Sequence, residues 1–373
     1  MIYLDYAANT PVCDEVLAVY CETAKAYMAN PNSPHGAGRQ AHARLEQCTR
    51  QIQALLGAQA GEVIYTSGAS EANNLALKGA AQANRGKGKH IITTFLEHSS
   101  VLGAAAALQN EGFEVDYLPL GPDGRVDIVR LEELLRPDTI LLSVCAVDSE
   151  IGLTQQLEQL AGAVAAYPNC LLHVDATQAV GKIPVAAGAA HLLTFAPHKF
   201  YGPCGCGVLL KQPDVLLEPQ IHGGISTTPY RSGTPDLALI AATTKALELA
   251  VAHREERYRQ VTELNRMLRQ GLGAFPNLRI NSNRHSVPHI LNLSLPDVKS
   301  DALQAALDER EVYVATRSAC CAPNTVSRPV YALTQNRKAA LSPLRISVSH
   351  LTTPLEITQF LNHFEACYRG LQK

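Results

Sequence analysis

No stretch of these 373 residues holds 18 consecutive uncharged apolar side chains, so nothing in the chain reads as a membrane-spanning helix. The opening MIYLDYAANTPV lacks both the basic and the apolar region of an export signal, which predicts a cytoplasmic protein. Charge of one sign is missing too. Lys and Arg number 32 against 34 Asp and Glu, scattered evenly for a net of −2, which argues against a basic stripe for nucleic acid and a polybasic face for membrane. There is no internal repeat and no low-complexity tract. The ten cysteines, at 13, 21, 48, 145, 170, 204, 206, 320, 321 and 367, do not form the dense even framework of a small secreted fold, so reduced thiols are expected. Cys145 and Cys170 fall inside apolar strand-like runs and read as small buried hydrophobes. Cys204-Gly-Cys206 has no second Cys or His pair at finger-like spacing, so no metal site is predicted. What remains is small-molecule chemistry.

A chain of this length with 46% apolar residues can build one large domain and a smaller one. Between about residues 60 and 211, seven short apolar runs (EVIYT, HIITT, FEVDYL, TILLSVCAV, CLLHVD, HLLTFA and CGVLLK) alternate mostly with amphipathic stretches. That alternation predicts an α/β fold, a mostly parallel sheet covered by helices on both faces. Residues 236–272 run without Gly or Pro until their end and predict one long helix linking two domains. Beyond it, HILNLSL, VYVAT and LRISVS are strand-like, while DALQAALDER and LEITQFLNHFEACYRG are helix-like. The expected division is residues 13–250 for the large domain, and residues 1–12 with 251–373 for a smaller α+β domain.

In such a sheet, ligands bind beyond the carboxyl ends of the strands. The polar residues that fall there are Ser67-Gly68-Ala69-Ser70, Glu97-His98, Asp148-Ser149-Glu150, Asp175 and His198-Lys199. Lys199 stands out because burying an unpaired ammonium is costly unless its pKa falls or it forms a covalent bond. SGASEANN supplies a small-residue turn and a helix start whose free N–H groups and Ser70 hydroxyl suit a phosphate, although the same residues describe an ordinary capped helix. Asp175 could likewise be only a cap. A phosphate cradle, a strand-end Asp and a strand-end Lys in this order are together what pyridoxal 5'-phosphate needs: an anchor, a partner for the pyridinium nitrogen and a Schiff-base amine.

The motifs YLDYAANTPV, NPNSPHGAGR, SGASEANN, EH, EIG, HVDATQAVGK, HKFYGP, RSGT, RSAC and LRISVS follow one another as in the NifS/IscS-like cysteine desulfurases, which the chain resembles over nearly its whole length. The resemblance implies the fold-type I architecture of class V aminotransferases: a three-layer αβα large domain around a mostly parallel seven-stranded sheet, a smaller α+β domain, and a homodimer with sites at the subunit interface. It implies Lys199 as the Schiff-base lysine and Asp175 as the ring-nitrogen partner. Gln178 would contact the ring hydroxyl, His98 would stack on the ring and move protons, and Ala69, Ser70 and His198 would hold the phosphate. Thr234 would reach the phosphate from the neighbouring subunit, and Arg345 would take the carboxylate of the L-cysteine substrate. Cys320 would be the nucleophile that keeps the sulfur as a persulfide for an acceptor protein; its neighbour Cys321 would divide that labour or be incidental.

The chain departs from the family pattern at two places. Ala196 stands where a phosphate-binding serine is usual, and Ser149 where an asparagine normally lies beside cofactor and substrate. These leave open a selenocysteine lyase, another class V aminotransferase-like enzyme, or a non-catalytic relative acting as a binding scaffold. The retained cysteine motif argues against an aminotransferase, and intact Lys199, Asp175, His98 and Arg345 argue against a scaffold.

Overall fold

The computed structural model describes residues 1–316 and 325–372. Among them, twelve strands occur in chain order. They are β1 (Ile2–Tyr3), β2 (Glu62–Thr66), β3 (His90–Thr94), β4 (Glu114–Leu118), β5 (Thr139–Cys145), β6 (Leu171–Asp175), β7 (Leu192–Phe195), β8 (Gly207–Lys211), β9 (Arg279–Ile280), β10 (Ile290–Ser294), β11 (Val312–Tyr313) and β12 (Pro343–Ser347). The seven apolar runs become one seven-stranded sheet in the order β2-β8-β7-β6-β5-β3-β4, and only β8 runs antiparallel to its neighbours. The strands read as continuous apolar runs because successive side chains point to opposite faces and both faces are covered. Ile91, Leu141, Leu192 and Leu209 enter one core, while Ile92, Leu142, Leu193 and Leu210 enter the other. Helix Ser99–Asn110 covers the first face, and helices Asp14–Ala26, Gly36–Leu55 and Leu237–Ala252 take part in the second core. The result is the expected three-layer αβα arrangement.

A three-stranded antiparallel sheet, β12-β10-β9, packs with helices Ser300–Asp308 and Pro354–Leu371 around a separate core that includes Leu291, Leu344, Phe360 and Phe364. The single helix expected over 236–272 is instead two, Leu237–Ala252 and Arg254–Leu272, broken at His253. The two halves serve different cores: Leu247 and Ala250 pack in the large one, and Val261, Leu264 and Leu268 in the small one. A straight rod would have to satisfy both at once; tertiary packing overrides local helix propensity here.

The N-terminal segment ties these parts together. β1 pairs in parallel with β11, Asp5 bridges to Ser347 of β12, and Thr10 N–H reaches the His198 carbonyl at 3.0 Å. No helix among the described residues is long and apolar enough to cross a membrane.

Candidate active site

A cavity of about 400 Å³ opens beyond the carboxyl ends of β2, β3, β5, β6 and β7. It is lined by Ala69 and Ser70 after β2, His98 after β3, Ser149 after β5, Asp175, Thr177 and Gln178 at the end of β6, and His198 and Lys199 after β7. Arg345 of β12 joins them across the cavity. Nine of the sequence-predicted site residues therefore meet in one place although they span residues 69 to 345. Of the others, Thr234 lies outside the cavity, while Cys320 and its neighbour Cys321 fall outside the described residues.

Asp175 sits at the cavity floor, 5% exposed. One carboxylate oxygen accepts from Thr177 N–H at 3.0 Å and the other from Asn73 Nδ2 at 2.8 Å. Asn73 spends its second N–H on Ser100 Oγ at 2.9 Å, and its carbonyl accepts from Thr194 Oγ1 at 2.5 Å, so every polar atom of this fully buried amide is engaged. Thr194 in turn meets His173 Nε2 at 3.3 Å, and His173 Nδ1 meets Ser143 Oγ at 2.8 Å. Burial holds His173 down at about 4, neutral at physiological pH, so this network beneath Asp175 is uncharged. It holds the carboxylate in place through uncharged donors.

His98 caps helix Ser99–Asn110, and its Nδ1 accepts from Ser100 N–H at 3.2 Å and pairs with Ser100 Oγ at 2.8 Å. Since Nδ1 accepts from Ser100 N–H it carries no proton, so Ser100 Oγ donates to it and the ring's proton sits on Nε2. Burial lowers its pKa, partly offset by Asp175 and reinforced by Lys199.

Lys199 stands in a short 3-10 turn, Pro197–Lys199, that continues into Tyr201 at φ +68°. The N-terminal segment clamps this turn through Thr10, whose hydroxyl accepts from Tyr201 N–H at 2.7 Å and donates to the His198 carbonyl at 2.9 Å. Lys199 Nζ donates to the carbonyls of Ala7 at 3.0 Å and Ala8 at 2.6 Å. Arg345, 2% exposed, donates to the Ser149 carbonyl at 2.9 Å and pairs with Asp5 at 2.7 Å, while its Nε has no hydrogen-bond partner among the described residues. The guanidinium thus keeps N–H groups for a planar carboxylate. Asp148 braces the adjoining loop by accepting from the N–H groups of Glu150, Ile151 and Gly152, and burial, with Glu150 beside it, pushes its carboxyl up to about 7.

At the other end of the cavity, helix Ala69–Asn74 begins after Gly68 with no side-chain cap, so the capped-helix reading of SGASEANN is not realised. Glu71 turns instead to Ser67 N–H at 2.7 Å and Arg231 at 2.9 Å; burial raises its pKa, but these bonds outweigh it and hold it below the usual range. Burial, with Lys199 and Lys182 nearby, pushes His198 down to about 4. Ala196 is fully buried and is not among the residues that line the cavity. Thr234 is exposed, where its hydroxyl accepts from Asn30 Nδ2 at 3.4 Å.

The donor set suits a flat, zwitterionic, phosphorylated ring: unspent N–H groups and a hydroxyl at one end, a carboxylate at the floor, and an amine at the wall. A further sign is Thr177 Oγ1, a buried hydroxyl on the cavity wall with no hydrogen-bond partner among the described residues. Such a group calls for a polar partner from outside the chain.

The aminotransferase class-V family model matches residues 2–360. The chain belongs to that family. Within it, the chain is similar to a cysteine desulfurase IscS of Glaesserella parasuis, 39% identical with 95% of this chain and 90% of the relative covered. It is also 35% identical to a NifS/IcsS protein homolog of Lactobacillus delbrueckii subsp. bulgaricus, covering 100% of this chain and 98% of that one. Among solved structures, a NifS-like protein superposes with a TM-score of 0.92 at 32% identity, covering 99% of this chain and 100% of its own. These matches set the chain among the NifS/IscS cysteine desulfurases of the class-V family. Sequence reasoning missed Thr177, Asn73, and the carbonyls of Ala7 and Ala8. Thr177 and Asn73 lie inside quoted family motifs and could have been weighed; backbone carbonyls carry no sequence signal.

Proposed function

We propose that this class-V family member removes sulfur from L-cysteine with pyridoxal 5'-phosphate, leaving L-alanine and a persulfide on Cys320 for an acceptor protein in the cytoplasm. The observation that carries the reading is the convergence of an amine, a carboxylate, an open helix start and a buried guanidinium on one cavity. When bound, pyridoxal phosphate supplies an electron sink for charge developing at the substrate Cα. The chain's own residues do the rest. Ala69, Ser70 and His198 would hold the phosphate, Asp175 would keep the ring nitrogen protonated, and Gln178 would reach the ring oxygen. Arg345 would orient the substrate through its carboxylate, and Ser149 would stand beside it. Lys199 would move the proton at Cα, with His98 presenting Nε2–H for a second transfer. Cys320 would take the sulfur, so that one thiol and one cysteine give one persulfide and one alanine.

A homodimer fits the same picture. Thr234 lies outside its own chain's cavity and is exposed, on a stretch where Leu216, Ile221 and Ile225 are 63%, 41% and 89% exposed.

The test is alanine and sulfide production from L-cysteine by wild type, Cys320→Ala, Cys321→Ala and the double variant. Cys320→Ala should keep the visible cofactor band but lose turnover by several orders of magnitude, as removal of a covalent nucleophile does, and Cys321→Ala should do less harm. Undiminished alanine formation in Cys320→Ala would sink the persulfide reading. Undiminished activity in the double variant would instead favour a lyase or aminotransferase that needs no cysteine.

A further inference from the structure

Lys182 is buried 17 residues before Lys199, in no role assigned above. Its Nζ lies 2.5 Å from Gln178 Oε1, and Gln178 Nε2 donates to the Ala7 carbonyl at 2.8 Å. That carbonyl also accepts from Lys199 at 3.0 Å, so Lys182, which does not itself line the cavity, is joined through the cavity-wall residues Gln178 and Ala7 to Lys199 by one continuous chain of hydrogen bonds. An amide can present either its oxygen or its nitrogen to a neighbour, and packing alone barely distinguishes the two. Here both ends are spoken for: an amine donor stands at one and a carbonyl acceptor at the other. With Oε1 turned to Lys182 and one N–H given to Ala7, what Gln178 offers the cavity is its remaining N–H.

We propose that Lys182 is a positioning residue that locks the Gln178 amide as a hydrogen-bond donor toward the cofactor's ring oxygen. The inference rests on the reading of this cavity as a pyridoxal phosphate site. Its physical core is that a buried amine can be kept only where it gains something. Burial, together with the Lys199 and Arg345 cations, pushes Lys182 down to about 7, and no carboxylate is among the causes that shift it. Charged or neutral, the amine donates to Oε1. With an apolar side chain there, only the Ala7 carbonyl would oppose the turn that brings the amide oxygen round, against an acceptor on the ring.

The test measures pyridoxal phosphate binding to the apoprotein, and the resulting visible spectrum, for wild type, Lys182→Met, Gln178→Ala and the double variant, with melting curves to establish that each is folded. Losing one hydrogen bond of this kind should raise the dissociation constant about tenfold in each single variant. Because both changes remove the same contact, the double variant should be no worse than the weaker single, and both singles should move the visible band alike. Additive losses, or an unmoved band in Lys182→Met, would overturn the inference while leaving the cofactor site intact. A wild type that forms no visible band would overturn the cofactor reading and this inference with it. If Lys182→Met does not fold, Lys182→Gln, which keeps a neutral donor, takes its place. Binding within about threefold of wild type then supports the inference, and a tenfold loss defeats it.

Discussion

Glu97, the residue before His98, is buried with Thr94 Oγ1 at 2.7 Å and Cys145 N–H at 3.0 Å on one carboxyl oxygen and, among the described residues, no hydrogen-bond partner on the other. Burial pushes it up to about 8 from an ordinary 4.5, so it stands in the fold as a neutral acid at pH 7. A carboxyl whose folded value lies above its unfolded one contributes stability that is complete below about 4.5 and is lost as pH rises through about 8. The buried histidines His198 and His173, both near 4, act in the opposite sense but only below their unfolded values, so a window from pH 6.5 to 8.5 isolates Glu97 from them. Asp148 and Lys182 also titrate in this window but are common to wild type and variant. Glu97→Gln keeps the neutral shape; melting temperatures across that window should fall more steeply in wild type than in the variant. Parallel curves would show that Glu97 ionises in place without penalty. At this scale the candidate site was legible where a side chain has one chemical use, as with Lys199, Asp175 and Arg345. It was not legible where the partner is backbone, as with Ala7 and Ala8.

Strand β8 enters the sheet beside the turn that begins the phosphate end. A Cβ on Gly207 would stand 2.3 Å from the Gly68 carbonyl carbon and 2.5 Å from its oxygen, both backbone atoms that no rotamer change can move aside. Gly207→Ala should therefore push the 67–70 turn out of place, weakening pyridoxal phosphate binding about tenfold or more and lowering the melting temperature. Gly162, exposed in helix Leu157–Ala165 with nothing within 4 Å of its would-be Cβ, is the control. Alanine there should stabilise by up to about 1 kcal/mol. Equal cofactor affinity in both variants would show that the turn adapts. The seven strands themselves were legible because each is an apolar run bounded by turn residues. The break at His253 was not, since no Gly or Pro marks it and its cause is two cores claiming two halves of one helical pattern.

Across the whole molecule, the first dozen residues act as a strap from the small sheet to the cavity wall. Asp5 pairs with the buried Arg345, while Ala7 and Ala8 receive Lys199. Asp5→Ala leaves a buried guanidinium without its counter-charge, which should cost about 3 kcal/mol in urea unfolding and weaken cofactor retention as the strap loosens. A change below about 0.5 kcal/mol would show that water or the Ser149 carbonyl suffices for Arg345. The sequence alone determined the α/β class, the strand runs and the chemical inventory of the site, because apolar periodicity and strand-end polarity are local properties of the chain. Only the tertiary structure decided that Thr234 is exposed outside its own chain's cavity and that Ala196 is buried and absent from the cavity lining. It alone decided that the N-terminus closes the site, that a buried network holds Asp175, and that Lys182 meets Gln178. Each of these depends on which segments, distant in sequence, are brought within hydrogen-bonding reach, and that is fixed by packing two cores against each other rather than by any residue's own preference.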